Sequence, residues 1–517
     1  ENLQNIKIDK ILFLLNLVII FFLFLQFFSI EFPTNKIDIF HEGQKLSASF
    51  KSLNEKNLWS GSYITTGIIN EILGVKFMWK ILENQSIGSM RYLQLLYIFI
   101  FKLSLVFLIY LITKKTFLTQ KFKLIFYLAL TFITPFLIDY DVGSADPFSY
   151  RDLPIILCLI FFFKNLNNQN NINFSLIIIG LLGVLSFFWS IDRAINVNFL
   201  IIFICFFLLL KNANKSIITI LISVIIFWLI SYLYLENEFK FFINNTISVL
   251  KNQNYIHGII HPQPFSDMPN SSRATKSLLF IILSLLISLS FLFSKESRFN
   301  NELKVILITL SFVSFCSYLY ALGRSDGGHI KQTTGILILF FSIFVFFNLL
   351  KILEKFLIKD FFKISPSFVI ILLLMIIHIP NLKVNIKNIY DYPSRFNKFI
   401  ALEDKNYLTD DQNYLVENTK PFLSNYDCVQ LFTNDAALPY LFKKSNCSKY
   451  YFIYSLGSVE NQNDLIRNMS NTKLIVYSGQ TDNWGIPPQK KLTIVNNYIN
   501  LQFSETKKIL DWELRFR

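Results

Sequence analysis

The sequence predicts a polytopic α-helical membrane protein of about eleven transmembrane helices with a small C-terminal α/β domain. Three observations predict it. Of 517 residues, 53% are hydrophobic and the mean hydropathy is +0.44, more apolar surface than a soluble chain of this size hides in a core. Runs such as "ILFLLNLVIIFFLFLQFF" (11–28) match the thickness of a bilayer rather than the length of a strand. From about residue 381 the pattern changes to short strand-like and helix-like segments in alternation.

The first apolar run follows Lys7 and Lys10, and "FFSIEFP" offers no small-residue cleavage site. It reads as a retained helix with a cytoplasmic N-terminus. The expected spans are 11–30, 92–113, 122–138, 152–163, 173–190, 195–210, 216–235, 277–294, 304–320, 334–350 and 367–380. The fourth and sixth are short, and would tilt or borrow flanking residues. Basic residues gather in alternate connections: Lys114, Lys115, Lys121 and Lys123; Lys164; Lys211 and Lys215; Lys295, Arg298 and Lys304; Lys351, Lys355, Lys359 and Lys363. That alternation is the positive-inside pattern. The net charge of +14 is thus a topology signal, which excludes a nucleic-acid footprint. An odd number of spans puts the C-terminal end outside the cytoplasmic membrane.

Residues 1–380 therefore form a multi-span domain with a long first external segment, 31–91, and residues 381–517 an extracytoplasmic α/β domain. In the first segment, "EKNLWSGSYITTGIINEILGVKFMWKIL" mixes Trp59, Tyr63 and Trp79 with charges, as a helix lying in the membrane interface does. In the last domain, "CVQLFTND", "YYFIYSL", "TKLIVYSG" and "WELRFR" read as strands, and "AALPYLFKK", "NQNDLIRNM" and "KLTIVNNYINLQF" as helices. Cys158, Cys205 and Cys316 lie in or beside apolar runs and read as packing residues. Cys428 and Cys447 do not, and an external placement would let them bond.

Placed on this topology, the polar clusters fall on one side: Asp38, His41 and Glu42; Asp139, Asp141, Asp146, Arg151 and Asp152; Asp192 and Arg193; His257, His261, Asp267 and Arg273; Arg324, Asp326, His329 and Lys331. A lone charge at a helix exit is ordinarily just solvated. Here the contrasting cytoplasmic connections hold no histidine, which argues for one external site built from several loops. A carboxylate can take a proton from an attacking hydroxyl. Arg and His can meet charge that grows on a departing phosphate. Such a set suits transfer of a group from a lipid phosphate to a hydroxyl. P-loop, HExxH and GxSxG motifs do not occur.

A first helix, an acidic pair at its exit, interfacial helices, many spans and a C-terminal external domain together resemble the GT-C superfamily of polyprenyl-phosphate-sugar glycosyltransferases. The protein mannosyltransferase and lipid A aminoarabinose transferase branch looks nearest, because "HEGQKLSASFKSLNEKNLW" has its layout of acidic pair, helical run and turn. His41 stands where that branch has Asp, and "SGSYITTGIINEIL" replaces its Lys-Pro-Pro stretch. The resemblance implies an inverting transfer from a polyprenyl-phosphate-linked sugar to a glycan, lipid or protein acceptor outside the membrane. It makes Glu42 the expected base, Asp38 its substitute and His41 a neighbour that positions it or binds acceptor. The bland alternative for Glu42 is a capping carboxylate on the next helix. Arg324 and His329 are expected at the donor phosphate, with Arg151 and Arg193 either there too or serving as interface anchors. No cofactor is expected. Asp139, Asp141 and Asp146 are the candidates if a divalent metal is bound. Two rivals stay open: a transporter or flippase of lipid-linked sugars, for which Lys102 is the deep charge, and a polysaccharide polymerase or ligase.

Overall fold

The computed structural model describes residues 2–55, 57–135, 138–140, 146–166, 174–252, 263–268, 271–293, 299–322, 327–357, 384–478 and 488–517. The first ten expected spans are each matched by a helix, and the expected 367–380 span lies outside the described residues. Seven helices are long and apolar enough to cross a membrane: Asp9–Ser29, Ile87–Lys114, Ile191–Leu210, Asn214–Leu235, Ser271–Phe293, Asn301–Ala321 and Gly335–Glu354. That is seven among the described residues, and the expected count of about eleven is not reached there. Three others are too short: Gln120–Ile133, Leu153–Lys164 and Phe174–Trp189. At about 1.5 Å per residue, twelve to sixteen residues fall short of a hydrocarbon layer of about 30 Å.

The reason is visible in burial. Leu153–Lys164 is enclosed on nearly every side by protein, so its apolar run fills a helix-packed core. Asn214–Leu235 and Ser271–Phe293 instead leave most of their apolar surface outward, as lipid-facing helices do.

The C-terminal domain carries a five-stranded mixed sheet of order β2-β1-β3-β5-β4. Its strands are β1 Cys428–Phe432, β2 Ser445–Asn446, β3 Leu474–Ser478, β4 Glu505–Ile509 and β5 Trp512–Phe516. β2, β1 and β3 run parallel, and β5 and β4 complete the sheet antiparallel. The run "LIVYS" is buried along its whole length, as a central strand covered on both faces requires. The lysine-bearing "ETKKI", not anticipated from sequence, is the exposed edge strand. Cys428 and Cys447 are disulfide-bonded, with their Cα atoms 5.0 Å apart.

Two expectations need correction. "YYFIYSL" is not a strand: it ends in a short 3₁₀ turn, Tyr454–Leu456, and all seven of its residues are buried. Adjacent rings cannot alternate between a wet and a dry face, so the segment packs as an aromatic loop. Likewise Trp59, Tyr63 and Trp79 do not sit in a lipid interface. Trp59 packs on Phe188 and Phe242, Tyr63 on Tyr450, and Trp79 stacks on Tyr440. Helix in that region is confined to a π-turn, Ile69–Leu73, and the helix Gly74–Ile81.

What positions the site is the helix His41–Asn54, clamped between the C-terminal domain and the Ile69–Ile81 region. Ser47 Oγ donates to Ala436 O at 2.6 Å, Lys51 Nζ to Ser448 O at 2.9 Å, and Ser49 Oγ to Glu71 O at 2.9 Å. Gly43 lies directly on the Ala436–Ala437 backbone, where any Cβ would clash.

Candidate active site

A cavity of about 460 Å³ opens beside the first turn of that helix. Its wall is drawn from further places in the chain: residues 65–71, Gln94, Ile98 and Phe101 of Ile87–Lys114, residues 138–139 and 146–151, Asp192 and Arg193, Val249, residues 320–321 and 328–333, and Tyr454. Of the residues anticipated from sequence, Asp38, His41, Glu42, Asp139, Asp146, Arg151, Arg193 and His329 all line it. Arg324 and Asp141 lie outside the described residues, as do His257, His261 and His378.

Three neighbours at the helix start have separate work. Glu42 is nearly sealed: its Oε1 accepts from Arg91 Nε and its Oε2 from Arg91 Nη2, both at 2.8 Å. Oε2 also accepts the Asp38 N–H at 2.9 Å. Arg91, 1% exposed, spends Nη1 on the carbonyls of Pro33 and Asn35 at 3.0 and 2.8 Å. This bidentate pair ties the exit of the first helix to the head of the second spanning helix. A carboxylate so engaged has little capacity left for an incoming proton.

Asp38 is half-exposed and caps the helix, its Oδ1 accepting the N–H groups of Phe40 and His41 at 3.1 and 2.9 Å. Its Oδ2 lies 2.7 Å from His41 Nδ1, which turns the far ring nitrogen, Nε2, away from the carboxylate. Burial raises the Asp38 carboxyl. The His41 contacts and the two backbone N–H groups outweigh that and hold it below the usual carboxylate value. The His41 side chain is 62% exposed.

Across the cavity the cations are compensated in a chain. Arg151 Nη2 meets Asp192 Oδ2 at 2.5 Å, and Arg193 lies 3.5 Å from the same oxygen. Arg193 Nε also reaches Asp152 Oδ1 at 2.5 Å, an ion pair whose angle does not make it a hydrogen bond. Ser190 Oγ donates to Asp192 and accepts from Arg151 Nε at 3.2 Å. Arg193 is 4% exposed and Arg151 25%, so of the two only Arg151 has a face toward a ligand. The Ser190 turn is set by backbone packing, since Ile191 N–H donates to Thr66 O at 2.5 Å and Gly67 lies where any Cβ would strike Trp189.

The chain shows no match to any family model and none to any curated protein. Among solved structures it is similar to the archaeal oligosaccharyltransferase AglB from Archaeoglobus fulgidus, in complex with an inhibitory peptide and a dolichol-phosphate. Identity is 10% and the TM-score 0.45, over 92% of this chain and 69% of that one. That likeness is too distant to assign chemistry, which rests on the cavity's own residues.

Three residues of the site went unnoticed in the sequence. Arg91 stands at the head of an apolar run, where a cation looks like an interface anchor. Lys45 donates to Tyr150 OH at 3.0 Å and adds a cation to the wall. Glu71, 1% exposed, accepts from Thr66 Oγ1 at 2.7 Å, Thr65 N–H at 3.1 Å and Tyr451 OH at 3.0 Å. Burial pushes its carboxyl above the usual value, and those hydrogen bonds offset only part of the rise. No spacing or motif marks Glu71. Among the described residues no group of three or more His, Cys, Asp or Glu is placed to hold a metal ion.

Lys102, the deep charge that a transport pathway would use, is buried with its Nζ 3.9 Å from the centre of the Tyr140 ring. It is capped by that ring, as a packed cation is.

Proposed function

We propose that the chain is a GT-C-type membrane glycosyltransferase, which moves a sugar from a polyprenyl-phosphate donor to a hydroxyl acceptor with inversion. One observation carries this reading: a histidine held by Asp38 lines the same cavity as a partly exposed arginine and a lysine, beside the ends of membrane-length helices. A lipid-linked phosphate sits at that depth, and its sugar reaches both groups.

The acceptor oxygen attacks the anomeric carbon while the bond from that carbon to the phosphate oxygen breaks. His41 Nε2 takes the acceptor proton, and Asp38 steadies the imidazolium that forms, the division of labour seen wherever a carboxylate orients a histidine base. The departing polyprenyl phosphate carries the displaced electron pair. Arg151, with Lys45 and His329, meets its growing charge. Glu42, expected to be the base, becomes the post that holds Asp38 and the helix start in place. We place this site outside the cytoplasmic membrane, and the bonded Cys428–Cys447 pair supports an oxidising side for the C-terminal domain.

The test is transfer in proteoliposomes from labelled undecaprenyl-phosphate sugars to hydroxyl acceptors. Inverted product is expected with release of one polyprenyl phosphate per sugar. Donor hydrolysed or moved across the bilayer without any new glycosidic bond would reject the reaction.

A further inference from the structure

A second cavity, also about 460 Å³, shares no lining residue with the first. It lies between the helix Asn237–Lys251 and the helix Val459–Asn468 of the C-terminal domain. Its floor is closed: Tyr450 OH donates to Asp464 Oδ2 at 2.9 Å, and Asn461 Nδ2 to Ser455 O at 2.8 Å. A ligand there meets the rim.

The level of that rim follows from the helix that forms it. The preceding span, Asn214–Leu235, faces lipid, and its last turn exposes Tyr232, Leu233 and Tyr234, the last at 85%. Exposed tyrosines at the end of such a span mark the bilayer surface. The chain turns at Glu236, and Asn237–Lys251 packs back on the span. Phe239 meets Tyr232 with ring centres 5.3 Å apart, and Phe242 meets Trp228 at 6.0 Å. Trp228 stands about two turns inside the end of the span, so the first turns of the second helix lie at that depth too.

This second helix is two-sided. It buries Phe242, Asn245, Thr246 and Val249. Outward it shows Lys240, Asn244, Ile247 and Lys251, three or four residues apart, with Phe241 beside them. Phe241 is 45% exposed and Ile247 57%. Apolar side chains set among lysines on an outward face are what a helix in the membrane interface presents.

The charges of the rim do not cancel. Lys251, Lys449 and Arg467 stand against Glu460 and Asp464. Asp464 is shared, with Lys449 at 2.8 Å and Arg467 at 3.3 Å, so one carboxylate answers two cations. Lys251 and Glu460 meet at 3.2 Å with side chains 67% and 65% exposed, and a pair that open is worth little in water. The rim thus offers one net positive charge at headgroup level, next to Phe241 and Ile247. That combination fits an amphiphile with a singly charged anionic head.

We propose that this rim binds an anionic phospholipid. Its phosphate diester lies at Lys449 and Arg467, and its acyl chains lie along Phe241, Ile247 and the outward face of Asn214–Leu235. The lipid fastens the helix Val459–Asn468, and with it the C-terminal domain, to the bilayer. The site stands apart from the proposed transfer reaction and does not depend on it.

Native mass spectrometry of the full chain, released from nanodiscs of equal phosphatidylcholine and phosphatidylglycerol, tests this. Phosphatidylglycerol should be retained in preference. Arg467→Gln and Lys449→Gln should each lower its retention roughly fivefold, one cation's share at a membrane surface. Glu460→Gln frees Lys251 and should raise retention by a similar factor, a gain that a misfolded variant would not give. Phe241→Ser, which changes no charge, should also lower it. Equal retention of the two lipids overturns the proposal, as does a preference that none of the charge variants alters. So does retention that millimolar inorganic phosphate abolishes and Phe241→Ser leaves unchanged, which would make the rim a site for a free anion.

Discussion

Asp38 and Glu42 stand four residues apart at one helix start, yet their surroundings divide them. Glu42 is closed in by Arg91, whereas Asp38 is half-open and faces His41. Around Asp192 the same kinds of charge are arranged differently. There Arg151, Asp192, Arg193 and Asp152 compensate one another in sequence, and only Arg151 keeps a partly exposed face. In both regions the sealed pairs build the wall, and the group left reachable is the one the proposed reaction would use. Burial, not charge count, tells the two uses apart.

Breaking a sealed pair should cost most. Arg91→Met leaves Glu42 buried without its cation, and about 3–5 kcal/mol of stability should be lost. Adding Glu42→Leu should restore much of it, because a buried ion pair and an apolar pair of similar volume come out close. Denaturation in detergent reads both, and an Arg91→Met protein as stable as wild type would mean the pair holds nothing together.

The second region can be sharpened by separating its two arginines. Arg151→Ala should lower turnover on the order of 10²-fold with a modest change in donor affinity, since its work is done in the transition state. Lysine should rescue only part, for want of a bidentate contact. Arg193→Ala should instead lower the melting temperature, because it strands Asp152. Equal effects from the two would erase the distinction drawn from exposure.

Glu71 gives a smaller, pH-dependent effect. Its folded-state value is raised by burial, so its contribution to stability is fully present below the unfolded carboxyl value and is lost as pH rises through the folded one. Glu71→Gln keeps an acceptor for the Thr65 and Thr66 N–H groups and removes the titration. Its melting temperature should fall less than that of wild type between mildly acid and neutral pH. Parallel curves would show that Glu71 carries no such penalty. Asp38 has the opposite sign: its depressed value gives stability that is present above the unfolded carboxyl value and lost as pH falls through the folded one.

How much of this was legible depends on whether the cause lies along the chain or across it. Apolar runs revealed the long helices, but "LPIILCLIFFF" looks the same whether lipid or protein surrounds it, so a short run does not say which of the two it meets. Charges at helix ends located His41, Arg151 and His329, since their positions follow from the order of the spans. The partner of Glu42 did not, because Arg91 lies 49 residues away and nothing local links the two. "YYFIYSL" misled for a related reason: aromatic β-propensity is a statement about half-buried surfaces, and this loop is buried throughout.

The central claim is that the half-open Asp38–His41 pair does the chemistry while sealed Glu42 builds the site. Sugar-transfer rate and melting temperature, measured together on Asp38→Asn and Glu42→Gln, test it most directly. Asp38→Asn keeps an oxygen for the Phe40 and His41 N–H groups, so it should melt only slightly below wild type, and it should lose roughly 10²- to 10⁴-fold in turnover. Glu42→Gln should melt lower yet keep most of its turnover per folded molecule. A fully folded Glu42→Gln protein without transfer, beside an active Asp38→Asn, would return the base to Glu42 and contradict the account.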